Sequence, residues 1–204
     1  MRYPGRPGGN LYSDAVEAFT GLLSRHGAIP SIGMVEDELG IDRGGLLDLF
    51  PDENALLGAM AQNALMRLHD QFVRVMAGVT DSDPITQFEM LADVYVEWAY
   101  LHPREASIIG SMPDNEFRQN GELMRYETAI HELMQRMLGR ACDMGLLDKD
   151  EDLELLVSTA HTFAFGAITK MLVGDLGRWL PGMTEREAVR KMLHTFVRKI
   201  LRKQ

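Results

Sequence analysis

The 204-residue chain contains a single cysteine, Cys142. That excludes an intrachain disulfide and a cysteine metal cluster, fits a reducing compartment, and suits a buried or half-buried helix residue. No run approaches the roughly 20 uninterrupted apolar residues of a membrane span. The opening "MRYPGRPGGN" lacks the apolar core of a signal peptide. These absences predict a soluble, cytoplasmic protein. Also missing are HExxH or paired His/carboxylate spacing, a Gly-rich phosphate loop, a nucleophile elbow and any internal repeat. The expectation is therefore a non-enzyme that needs no metal and no cofactor.

Basic charge is scarce where it would be most useful. Residues 34–57, "MVEDELGIDRGGLLDLFPDENALL", have the spacing of a helix, a tight turn and a second short helix, followed at once by a third. This is the layout of a helix-turn-helix, whose second helix reads a DNA groove. Yet from Glu36 to Glu53 there are seven acids and one base, Arg43. The overall charge of −9 argues against a general nucleic-acid coat, because non-specific affinity comes mainly from Lys and Arg displacing counterions from phosphates. Residues 184–204 hold seven Lys or Arg against two Glu, so the basic end is remote from this segment.

What is present is helix signal throughout. Residues 1–10, with two Pro, three Gly and two Arg, read as a flexible arm. A first helix runs from Leu11 to the cap Gly27, and a second from the N-cap Ser31 through Leu39 to Gly40. Asp42 should cap a third helix through Phe50. Pro51 breaks it, and Asp52 caps a long amphipathic helix to about Gly78. Further helices are expected from Asp83-Pro84 to His102-Pro103, over Arg104–Ser111, from about Asn115 to Met144, from Asp152 to Leu172, and from the capping box Thr184-Glu185-Arg186-Glu187 onward. The fold class is all-α with about nine helices and no strand.

Several of these residues together resemble the TetR family of bacterial transcription regulators. The resemblance rests on the helix with Phe19, on Gly27, the Leu39-Gly40-Ile41 turn, Gly44, Leu46, Phe50, "FPDENALL" and the His102-Pro103 step. It implies a homodimer with an N-terminal three-helix helix-turn-helix domain at 11–57, after the arm at 1–10, and a helical ligand-binding and dimerisation domain at 58–204. Carried onto this chain, the operator-DNA contacts fall to Ser31, Arg43, Gly44, Gly45 and Leu47, with Arg2 and Arg6 of the arm placed in a minor groove. The family's third helix usually starts with a small hydroxyl residue and a Lys, then carries Thr and Tyr; here Asp42, Arg43, Gly45 and Leu47 stand there.

The second half is rich in methionine, with fourteen in the whole chain. Met side chains adapt their shape, so a cavity they line accepts varied apolar molecules, although each one fills a helical core equally well. Candidates to hold a small apolar or amphipathic ligand are Met60, Met112, Met124 and Met134. The aromatics Tyr95, Trp98, Tyr126 and Phe165 and the histidines His131 and His161 would surround and orient it. Two apolar helices near the end suggest a four-helix subunit interface through Leu156, Ala160, Ala164 and Ile168 on one and Met192, Phe196 and Ile200 on the other. Two functions stay open: a ligand-responsive repressor that binds its operator as a homodimer, and a dimer of this type that has lost operator binding and serves as a ligand- or protein-binding module.

Overall fold

A computed structural model describes residues 10–79 and 83–200, apart from the side chain of Ile200. The proposed arm, with Arg2 and Arg6, lies outside the described residues except for Asn10. Among the described residues there are nine α-helices and no strand: α1 (Leu11–His26), α2 (Ile32–Leu39), α3 (Glu53–Ala77), α4 (Pro84–Leu101), α5 (Pro103–Ser111), α6 (Asp114–Gln119), α7 (Gly121–Asp143), α8 (Leu153–Leu172) and α9 (Glu185–Ile200). The chain divides into two compact units, residues 1–65 and 66–204, and the division falls inside α3.

The caps are where local chemistry puts them. Ser31 Oγ accepts from the Met34 amide, Asp83 from Thr86 and Asp152 from Leu155, each satisfying a first-turn donor. Gly27 and Gly40 end α1 and α2 at φ of 70° and 68°, a left-handed turn that residues with a Cβ resist. Thr184 and Glu187 bond each other's amides as a capping box.

Two expected helices are not as the periodicity suggested. Residues 43–49 form successive turns instead of a helix through Phe50. The helix expected from Asn115 to Met144 is two, α6 and α7, because the Asn120 side chain turns to accept from the Glu122 and Leu123 amides and starts a new helix. A short Asn can bond the backbone ahead of it, which makes it a better cap than an interior residue.

In the first unit, α1 and α2 pack together over Ala15, Val16, Phe19, Leu23, Val35, Leu46 and Phe50, all nearly inaccessible. In the second unit, α4 packs along α9, and α7 and α8 complete the core around Leu91, Trp98, Leu123, Leu138, Val157, Val189 and Leu193. Across α4 and α9 runs a ladder of charge. Glu89 faces Arg198, Asp93 faces His194 and Arg190, and Glu97 faces Arg190 and Arg186. The acids repeat every four residues on one helix and the bases on the other, so one face of each meets. Cys142 is half-buried on α7, and its thiol donates to the Asp148 carbonyl at 3.4 Å.

Candidate functional site

The segment after α2 is organised by Glu36. In α2 the buried positions are Ile32, Val35 and Glu36, so this carboxylate shares the core-facing stripe and is 2% exposed. Its Oε1 accepts from the Gly44 amide at 2.9 Å and the Leu46 amide at 3.2 Å. A helix beginning at Asp42 would need those same donors for its own first turn. Bonds from amides to a buried carboxylate are each worth roughly 1.5–3 kcal/mol, against roughly 1 kcal/mol for an Asp cap. Gly44 and Gly45 each weaken a helix by roughly 1 kcal/mol relative to Ala. Glu36 wins, and the helix does not form.

The turns then require both glycines. Gly44 has φ 86°, and a Cβ on Gly45 would lie 2.9 Å from the Asp42 carbonyl oxygen. Leu47 and Leu49 are turned outward, 53% and 42% exposed, while Leu46 and Phe50 point into the core. Arg43, the sole base of the segment, is exposed but paired. Its Nη2 donates to Asp37 Oδ2 at 2.6 Å, and its guanidinium lies on Gly33, where a Cβ would come within 1.5 Å of Nη1. Arg25 is similarly engaged by Glu38 at 2.8 Å.

Of the residues expected to contact DNA, Ser31 caps α2, Arg43 is folded back, and Gly44, Gly45 and Leu47 sit exposed on turns and not on a helix. The seven acids are likewise not one solvated face. Glu36 is internal, Asp37 and Glu38 hold arginines, Asp52 caps α3 through the Ala55 amide, and Glu53 accepts from the Ile32 amide at 3.3 Å. The signal that could have revealed Glu36 is its place on the Ile32/Val35 stripe; Gly33, which gives Arg43 its seat, carries no sequence signal.

In the second unit a polar cluster lies among apolar walls. Trp98 of α4 is 2% exposed, and its indole Nε1 has no acceptor among the described residues. Tyr95 stacks on it with centroids 6.1 Å apart, and burial pushes its phenol up to about 12. His102 also lies 6.2 Å from the Trp98 ring, and its Nδ1 is 3.4 Å from Oε1 of the buried Glu105. Arg67 approaches the same oxygen at 4.0 Å. Residue patterning marked His102 only as a helix end and did not single out Glu105 or Arg67.

The remaining ligand candidates divide. Tyr126 and Met134 are buried in the second unit, with Tyr126 set against His69 at 5.6 Å, and Met112, Met124 and His131 are half-buried. Phe165 presses on Gly110 of α5, where a Cβ would meet its ring at 2.3 Å. His161 is exposed on α8, and Met60 is fully buried in the first unit. Among the described residues no group of three His, Cys, Asp or Glu is gathered to hold a metal ion.

Of the expected interface residues, Ile168 is 2% exposed within the subunit and Phe196 stacks on Phe163 of the same chain at 4.4 Å. Leu156, Ala160, Ala164 and Met192 are half-buried. By length and composition α8 could cross a membrane, and only 22% of its most apolar window is buried. Its outer face carries Leu155, Thr159, Thr162 and Phe165.

No protein-family model matches the sequence, and no curated protein matches it. Solved structures match over nearly the whole length. One is a protein of unknown function from Rhodococcus sp. RHA1, 21% identical with a TM-score of 0.79, the alignment covering 98% of this chain and 100% of that one. The fatty acid degradation regulator FadR from Bacillus halodurans matches at 15% identity and TM-score 0.75, over 98% of this chain and 100% of its own. A TetR-family transcriptional regulator from Pectobacterium atrosepticum matches at 17% identity and TM-score 0.70, over 95% of both chains. With all-helical architecture, element order and full-length likeness in agreement, the chain has the fold of the TetR-family transcriptional regulators.

Proposed function

We propose that the chain is a cytoplasmic, homodimeric transcription regulator of the TetR type, a repressor that leaves its operator when an apolar or amphipathic ligand binds the second unit. The observation that carries the reading is the fold, which matches solved transcription regulators along nearly the entire chain. The ligand half is supported by Trp98. A buried indole N–H without an acceptor costs free energy that a ligand carbonyl, ether or carboxylate oxygen would recover. Tyr95, stacked on Trp98, offers apolar surface for the rest of such a molecule. Release follows because a ligand shifts an equilibrium through differential affinity for two states of the dimer.

The direct experiment is retardation of the protein's own upstream DNA at a series of salt concentrations. Because Arg43 and Arg25 each already face a carboxylate of the same segment in an exposed ion pair, few phosphates are neutralised. The logarithmic salt slope should therefore be shallow, on the order of −2 to −5 for a dimer. Failure to retain any genomic fragment at low salt, with the dimer intact and ligand-free, rejects operator binding. One observation favours the second reading, a dimer of this type without operator contact: the segment that should enter the major groove is not helical.

A further inference from the structure

We infer that Glu36 is a positioning residue that decides whether residues 43–49 stand as turns or as a groove-reading helix. The inference rests on the reading above only where it concerns DNA. Its basis is a competition between two acceptors for the same donors. In the turn form Glu36 Oε1 holds the Gly44 and Leu46 amides at 2.9 and 3.2 Å, and the Asp42 carbonyl accepts from the Gly45 amide at 3.0 Å. In a helix starting after Asp42, the Asp42 side chain would cap the first-turn amides and its carbonyl would accept from Leu46 four residues on. The Gly44, Gly45 and Leu46 amides have an acceptor in either form, and the helical form takes two of them from Glu36, so the forms are alternatives that differ in which acceptor is served.

The far end of the segment is already half converted. The Phe50 amide bonds the Leu46 carbonyl at 2.8 Å with helical spacing, so only the Gly44-Gly45 end has to rewind. That end is where the two glycines remove the steric obstacle to the turns, at φ 86° for Gly44 and beside the Asp42 carbonyl for Gly45. Rewinding would reorient the outward Leu47 and Leu49 along a helix and draw Arg43 off Asp37, an exposed ion pair that opposes the change weakly. Glu36 therefore does not repel DNA from a distance, because it is buried; it acts through the backbone of the reader.

Nuclear magnetic resonance on the full-length protein tests this without DNA. In the unmodified protein the 13Cα shifts of residues 43–47 should be non-helical, with slowed exchange at the Leu46 amide. Glu36→Gln, which keeps a carbonyl oxygen at the acceptor position, should retain that pattern. Glu36→Ala should move 43–49 to helical shifts. A wild type already helical there, or a Glu36→Ala protein unchanged, overturns the inference. Should Glu36→Ala not fold, acid titration of the unmodified protein decides: the Gly44 and Leu46 amide shifts should follow the Glu36 side-chain 13Cδ, and amides that move independently of it overturn the assignment.

DNA enters as a separate arm. Gly44→Ala combined with Gly45→Ala alters only exposed positions that the turn form needs. If the helical form is a minor state of about 1–10%, a fragment bound by the wild type should bind this variant about ten- to a hundredfold more tightly. Helical shifts without tighter binding overturn the claim that this form reads the groove. Helical shifts in variants that, like the wild type, retain no fragment support Glu36's positioning role and reject operator binding.

Discussion

Gly33 shows how one missing methyl group sets the state of a charge. It lies in the first turn and a half of α2, and only a hydrogen at that position lets the Arg43 guanidinium reach across the helix to Asp37. The obstacle to alanine is the end of a flexible side chain, so Gly33→Ala should leave the backbone intact and gain up to about 1 kcal/mol of helix propensity. The lost exposed ion pair returns at most about 1 kcal/mol. Chemical denaturation should thus find stability unchanged or slightly raised. Arg43 should become free in its side-chain NMR relaxation, and a fall of several kcal/mol would contradict the packing described. At Tyr95 the sign of the pH effect follows from a phenol pushed up from 10.0 to about 12 by burial. The neutral form is favoured in the folded state, so its contribution is complete below about pH 10 and is lost as pH rises through about 12. The loss is roughly 2–3 kcal/mol at about 1.4 per unit. The alkaline limb of unfolding should be flatter in Tyr95→Phe than in the wild type; identical limbs would refute it.

Helix by helix, the least anticipated feature is the ladder between α4 and α9. Single exposed ion pairs contribute about 0–1 kcal/mol, but here three arginines and His194 alternate with three acids along one seam, and neutralising a shared acid breaks two contacts at once. Asp93 takes His194 at 2.9 Å and Arg190 at 3.1 Å. Asp93→Asn should cost about 1–2 kcal/mol and lower the melting temperature by about 2–6 °C. The difference should shrink in high salt, which screens half-exposed pairs. A variant that melts with the wild type at low salt would show the ladder to be energetically idle. The same α4 carries Tyr95 and Trp98, so one helix bears both the ladder and the aromatic part of the proposed ligand site.

For the whole molecule, the decisive question is what covers α8. A twenty-residue helix this apolar, with so little of its most apolar window buried, leaves a face whose exposure to water is unfavourable in an isolated subunit. A second copy placing its own α8 and α9 there would bury it in an apolar interface. Substitutions should be made where the subunit does not need the side chain. Leu155 is 64% exposed, and Thr162 lies seven residues on along the same face. If a second copy covers this face, the wild type should sediment as a dimer and Leu155→Asp with Thr162→Glu as a folded monomer. Ile168 and Phe196 are poor choices because they pack within the chain, so changing them confuses unfolding with dissociation. A double variant that remains a dimer would move the interface off α8.

The all-α class, the caps at Ser31, Asp83 and Thr184, the left-handed glycines 27 and 40 and the apolar stripes of α8 and α9 were legible from residue order alone. Capping and periodicity depend on neighbours within about four residues, which a sequence displays directly. The break at Asn120 was missed because an Asn inside a helical pattern is compatible with both interior and cap, and the structure alone selects between them. The reader segment was misjudged for a related reason. Local rules made Asp42 the cap and Phe50 the end, and locally they were sound. What overruled them was a carboxylate six residues earlier, brought onto the core side of α2 and within 2.9 Å of Gly44. Such competition for a donor is settled by distance in space, as are the seat of Arg43 on Gly33, the orphaned Trp98 N–H and the pairing of α4 acids with α9 bases some hundred residues away. Each depends on which faces meet once the chain has packed, and hydrophobic burial, not local preference, decides that.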